Sequence, residues 1–189
     1  MKIFRYICLL IFTIFFLNGV NDAQDWKKIT PLISNCNDVK KSLKTDKCEY
    51  PVTRYDTPSY RIKIEFAKVR GAVKCKLKED CWNVPRGTVL SVSVGLIEGI
   101  ALKDFASDFS SYKIVEISDL PNSLRYVSSK NGVELTVVNY SDQKIQTLTT
   151  YLRDLRNEKD LSLLDKIAIQ NVYLFPSAQN QRKYGGSKR

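Results

Sequence analysis

The chain has 189 residues, enough for one domain with a sizeable core, and its 43% hydrophobic and 26% charged residues are ordinary for a globular protein. Lys and Arg number 30 against 20 Asp and Glu, a formal charge of +10, and there is no histidine. The missing histidine excludes Ser-His-Asp and Cys-His catalysis, every His-ligated zinc or haem site, and the one side chain that titrates near neutrality unperturbed.

The first residues read as an export signal. Lys2 and Arg5 precede the apolar run Tyr6 to Leu17 (YICLLIFTIFFL). That run is shorter than the ~20 residues a spanning helix needs and suits the core of a signal peptide. Residues 1–24 are therefore expected to be removed, with the mature chain starting near Asp25. Cys8 lies inside the run rather than after it, which argues against lipidation. Taking Lys2 and Arg5 from the 30 basic residues and Asp22 from the 20 acidic ones leaves a net charge of +9.

Export leaves Cys36, Cys48, Cys75 and Cys81, an even number in an oxidising compartment. None of the spacings is CxxC or a zinc knuckle, so structural disulfides are expected and no metal site is. Three connectivities are open. The local one, Cys36–Cys48 with Cys75–Cys81, is favoured because each bridge closes a short segment.

In chain order, Ser34 to Leu43 reads as a short helix. Ser34 is the expected N-cap, Asp38 sits in the first turns, Val39 and Leu43 share a face, and Ile33 is the expected staple. Tyr60 to Phe66 (YRIKIEF) alternates apolar and charged residues and predicts a half-buried strand. A basic stretch follows, with Lys68, Arg70, Lys74, Lys76 and Lys78, and runs through Cys81-Trp82 to a turn at Pro85-Arg86-Gly87. Thr88 to Val94 is a second strand, with Leu90, Val92 and Val94 on its inner face.

Leu102, Phe105, Phe109 and Tyr112 recur at helical spacing. Asn131-Gly132 predicts a hairpin between Leu124–Val127 and Val133–Val137. Ile145, Leu148, Leu152, Leu155, Leu161 and Leu164 have helical spacing again, Ile167 to Phe175 is a final strand, and residues 177–189 read as a polar, basic tail. The expected fold is α+β, an antiparallel sheet with packed helices, in one domain over residues 25–176. That domain divides into two helix-plus-strands halves, 25–98 and 99–176.

Several blocks carry a resemblance. They are Trp26 with Ile29-Thr30-Pro31-Leu32-Ile33-Ser34, Asp38-Val39 and Leu43; Tyr60–Phe66 leading to Cys75; Trp82-Asn83-Val84-Pro85-Arg86-Gly87-Thr88-Val89; Tyr126 with Gly132; and Tyr173-Leu174-Phe175-Pro176-Ser177. Together they resemble a family of exported, mostly acidobacterial proteins of unknown function. Cys36 stands where that family has Arg, Cys48 has no counterpart there, and residues 140–166 look like an insertion. More distantly, the opening is similar to small outer-membrane assembly lipoproteins and β-lactamase-inhibitor-like modules, which implies an α+β fold and a binding role.

The residues contain no paired-carboxylate motif, phosphate-cradling glycine loop or nucleophile elbow, so no catalytic residue and no cofactor is expected. The expected function is that of a non-enzymatic binding or scaffold protein of the cell envelope or exterior, secreted or periplasmic. Its partner is a protein or envelope component that the sequence does not name. One rival is an enzyme using carboxylate or Lys chemistry. Another is a binder of anionic polymers or lipid surfaces through Lys68, Arg70, Lys74, Lys76 and Lys78. Export argues against nucleic acid as a partner. Trp82 is expected to pack on a disulfide at Cys81, with a ligand contact as the alternative.

Overall fold

A computed structural model describes residues 21–68, 82–105, 110–116, 123–138 and 168–185. Their backbone is dominated by one antiparallel sheet. The strands are β1 (Val52–Asp56), β2 (Tyr60–Phe66), β3 (Val89–Ala101), β4 (Lys113–Glu116), β5 (Ser123–Ser128), β6 (Val133–Val138) and β7 (Ala168–Leu174), laid out in the order β1-β2-β3-β7-β6-β5-β4. Two meanders, β1-β2-β3 and β4-β5-β6-β7, therefore meet where the last strand pairs with β3. Consecutive strands are spatial neighbours within each meander, the arrangement that short connections favour. With the helices described below the fold is α+β and mostly sheet.

Alternation sets the sheet's two faces. In β2, Tyr60, Ile62, Ile64 and Phe66 are buried while Arg61 is exposed and Lys63 and Glu65 are half-exposed, as the period of two requires. β3 obeys the same rule only in part. Val92 and Val94 are buried, but the register slips between Glu65 and Phe66, so that Glu65 faces Ser91 while Phe66 faces Val89. This bulge leaves Leu90 half-buried and puts Val89 into the core in its place.

The helices cover one face. A 3-10 helix (Asn21–Lys28) brings in Trp26, fully buried and stacked on Phe105 at 6.2 Å between ring centroids. Helix α1 (Cys36–Leu43) adds Val39, also fully buried, and α2 (Leu102–Phe105) adds Leu102. These side chains join Ile62, Ile64, Val92, Tyr126, Leu135, Ile169 and Val172 in one core. Burial of such residues is worth roughly 1.5–3 kcal/mol each.

The cap of α1 differs from expectation. Asn35, not Ser34, is the N-cap: its Oδ1 accepts from the Asn37 and Asp38 N–H groups at 2.8 and 3.4 Å, and Asp38 Oδ2 accepts from the Asn35 N–H at 2.8 Å. That is a reciprocal capping box. Ser34 turns the other way and its hydroxyl accepts from the Thr30 N–H at 2.9 Å. With the cap one residue later, Ile33 is not a staple and is 58% exposed. Cys36 and Cys48 form a disulfide with a Cα–Cα distance of 6.0 Å, tying the first helical residue to the segment that leads into β1. Closing so short a loop is worth about 3 kcal/mol by chain entropy.

Of the helix expected from Leu102, Leu102–Phe105 is helical, Phe109 lies outside the described residues, and Tyr112 is buried just before β4, a strand the helical pattern concealed. The Asn131-Gly132 hairpin forms as expected between β5 and β6. Gly132 has φ +68°, and a Cβ there would collide with the Phe175 carbonyl oxygen, so only glycine fits. Residues 145–164 and the Cys75–Cys81 bridge lie outside the described residues. Within the segment expected as a polar tail, Ala178–Tyr184 forms helix α3, capped by the Ser177 hydroxyl, which accepts from the Asn180 N–H at 3.3 Å. Among the described residues no helix is long and apolar enough to cross a membrane.

Candidate functional site

One end of the sheet gathers segments that are far apart in sequence. Where β2 ends, the Phe66 N–H donates to the Pro51 carbonyl at 2.9 Å and the Ala67 N–H donates to the Thr88 carbonyl at 2.8 Å. The Gly87 N–H returns to the Ala67 carbonyl at 2.9 Å. These bonds set the entry to β1, the exit of β2 and the Pro85–Thr88 turn side by side. The turn itself is held by Thr88, whose N–H and hydroxyl both donate to the Pro85 carbonyl, at 3.2 and 2.8 Å.

A cleft of about 230 Å³ opens at this junction, lined by Tyr50, Pro51, Lys68 and Arg86. Tyr50, joined to Pro51 by a cis peptide bond, packs its ring against Phe66 at 5.2 Å between centroids and 59° between planes. Gly87 lies close to the hydroxyl end of the same ring. A Cβ at that position would come within 2.5 Å of the Tyr50 hydroxyl, and the backbone has φ +86°, so both space and conformation require glycine. Tyr50 thus touches one ring and closely approaches a backbone, yet is 48% exposed. It is not a strand residue, whereas Tyr55 in β1 packs against the core and Tyr60 in β2 is buried.

The charges around the cleft are unequal. Lys68 and Arg86 are exposed. The acid that feels the charge of Lys68 is Glu65, and its carboxylate is already engaged: Lys63 Nζ lies 2.6 Å away and the Ser91 hydroxyl donates to it at 3.3 Å. The bond from Lys63 holds the Glu65 carboxyl below its ordinary range despite partial burial, with Ser91 and the more distant Lys68 adding to the effect. Among the described residues, Lys68 therefore shares its counter-charge with Lys63.

A second anchoring lies beside it. Trp82 and Gly185 form an antiparallel bridge, and the Asn83 N–H donates to the Tyr184 carbonyl at 2.7 Å. Trp82 is half-buried, packed with Leu90 and Tyr184 on a small cluster of Leu32, Ala67 and Val84. The Asn180 amide donates to the Pro31 carbonyl at 3.3 Å and the Ala178 N–H to the Ser129 carbonyl at 2.8 Å, so α3 is fastened along its length. Its basic last turn, Arg182 and Lys183, is consequently carried to the end of the molecule where residues 82–88 lie.

No family model matches the chain, and no match is found among curated proteins or solved structures.

Of the residues singled out by sequence, Lys68 lines the cleft, Trp82 packs against the docked C-terminal helix, and Cys36 and Cys48 are bonded to each other. Arg70, Cys75, Lys74, Lys76, Lys78 and Cys81 lie outside the described residues. Tyr50 and Arg86 were not singled out. The Pro85-Arg86-Gly87 turn was legible, but nothing local says that Tyr50 packs on its glycine. Among the described residues no group of three or more Cys, Asp or Glu side chains is placed to hold a metal. What the cleft offers chemically is two cations and a partly exposed tyrosine ring, which suits holding an anion.

Proposed function

We propose that the chain is an exported, non-enzymatic binding protein whose ligand-binding end is this basic end of the sheet. The observation that carries the reading is the convergence of Lys68 and Arg86 on one cleft. Positive charge concentrated in one place attracts anionic polymers and surfaces and accelerates their capture. The Cys36–Cys48 bridge supports the export reading, since such bonds persist in oxidising compartments. Membership of the acidobacterial-type family and the division into two helix-plus-strands halves belong to the same proposal. The two meanders meeting at β3 and β7 support the second of these.

Binding of an immobilised polyanion tests the reading. The wild-type protein is expected to bind with a steep salt dependence, and the Lys68→Glu/Arg86→Glu double variant to elute at markedly lower salt. Equal elution of the two proteins would remove the cleft from the account.

A further inference from the structure

The geometry points to a more specific ligand, resting on the reading above: the Tyr50 cleft takes an acidic sugar unit of a polysaccharide, the ring lying on Tyr50 and its carboxylate or sulfate between Lys68 and Arg86. Three features lead there. The cleft's ~230 Å³ falls below the ~300–1,000 Å³ of pockets that engulf a free small molecule. It suits one unit of a longer chain. Its apolar part is an aromatic ring held rigid by Phe66 and Gly87, so little conformational entropy is lost when a flat partner settles on it. The axial C–H groups of a pyranose present such a flat, weakly positive face, and the ring's negative quadrupole attracts it, as it attracts cations. Finally, Arg86 and Lys68 beside that ring supply charge-assisted hydrogen bonds to an anionic substituent, which a neutral sugar lacks.

An anionic lipid surface shares the charge chemistry and differs in its apolar part. A bilayer needs side chains that can leave the protein and enter it, and the cleft's ring is packed against Phe66. Ile33, 58% exposed beside the start of β3, is the side chain that a membrane would use.

Titration of the folded, disulfide-bonded protein with polygalacturonate, neutral dextran, inorganic polyphosphate and vesicles rich in anionic lipid decides the matter. The expected order is tight binding of polygalacturonate and none of dextran. Tyr50→Ala is expected to weaken polygalacturonate about tenfold, the loss of one well-packed aromatic contact, and polyphosphate less than about twofold. Arg86→Gln is expected to weaken both. Tyr50→Phe, which keeps the ring, should bind as the wild type does. Should Tyr50→Ala not fold, the ring-proton resonances of Tyr50 in the wild-type protein are the alternative readout, and they should shift with galacturonate oligomers but not with phosphate.

Equal weakening of both polymers by Tyr50→Ala, or unmoved ring resonances, overturns the sugar while leaving the basic end as an anion site. Vesicle binding stronger than polygalacturonate binding and abolished by Ile33→Ser overturns it in favour of a membrane. If neither polyanion binds the wild type, the proposed function itself fails.

Discussion

The covered face of the sheet and its basic end are built in different ways. The covered face is held by burial: Trp26, Val39, Ile64, Leu135 and Ile169 are each fully or almost fully enclosed. Among the described residues, the basic end holds a small apolar cluster of Leu32, Ala67 and Val84, and it is assembled by hydrogen bonds to backbone carbonyls among segments starting at Pro31, Pro51, Ala67, Trp82 and Asn180. The first region is cooperative, because removing any large side chain opens a cavity the whole sheet feels. The second is modular: its contacts position charges and a ring without bearing much of the stability. Binding surfaces are commonly drawn from such less stable parts of a fold.

If this contrast is right, the same size of substitution should act differently in the two places. Trp26→Ala removes the largest fully buried side chain and is expected to cost about 3–5 kcal/mol, read as a lower urea midpoint. Replacing Cys36 and Cys48 together by Ser should cost roughly 3 kcal/mol by the same measurement, with polyanion affinity unchanged. Trp82→Ala, at a half-buried position, should cost about 1–3 kcal/mol. It should also loosen α3, seen as faster amide exchange at Gly185 and Tyr184. A Trp82→Ala stability loss as large as that of Trp26→Ala would break the comparison.

The smallest effect concerns pH. Glu65 has a carboxyl held below the ordinary glutamate value of 4.5, chiefly by Lys63. A lowered folded value means the pair's stabilisation is present above pH 4.5 and fades as pH falls from there through the folded value. The group is largely solvated, so Glu65→Gln should cost no more than about 1 kcal/mol at neutral pH and nothing in strong acid. Urea midpoints of the two proteins at neutral and acid pH, which should converge on acidification, are the check.

Legibility followed the same division. Tyr60–Phe66 was readable because alternation is a local signal and the strand is half-buried, and the hairpin at Asn131-Gly132 was readable because its turn chemistry is local too. The bulge at Leu90 and the N-cap at Asn35 were not. A one-residue shift leaves composition unchanged and is decided by which partner fills the space. β4 escaped notice because Leu102, Phe105, Phe109 and Tyr112 share helical spacing, yet Tyr112 is buried directly ahead of a strand. Lys68 was found from charge clustering. Tyr50 and Arg86 were not, because what joins them is a close approach of Tyr50 to Gly87, a contact between residues 37 positions apart that no sequence period encodes.

The central claim is that the fold brings a cationic cleft and an exposed ring together to bind an anion. The most direct measurement is polygalacturonate affinity as a function of salt for the wild type and for Lys68→Glu/Arg86→Glu, both checked for the native urea midpoint. The account predicts binding that weakens steeply with salt in the wild type, and a loss of at least about tenfold with a shallower salt slope in the variant. Indistinguishable affinities and slopes for two equally folded proteins would contradict it.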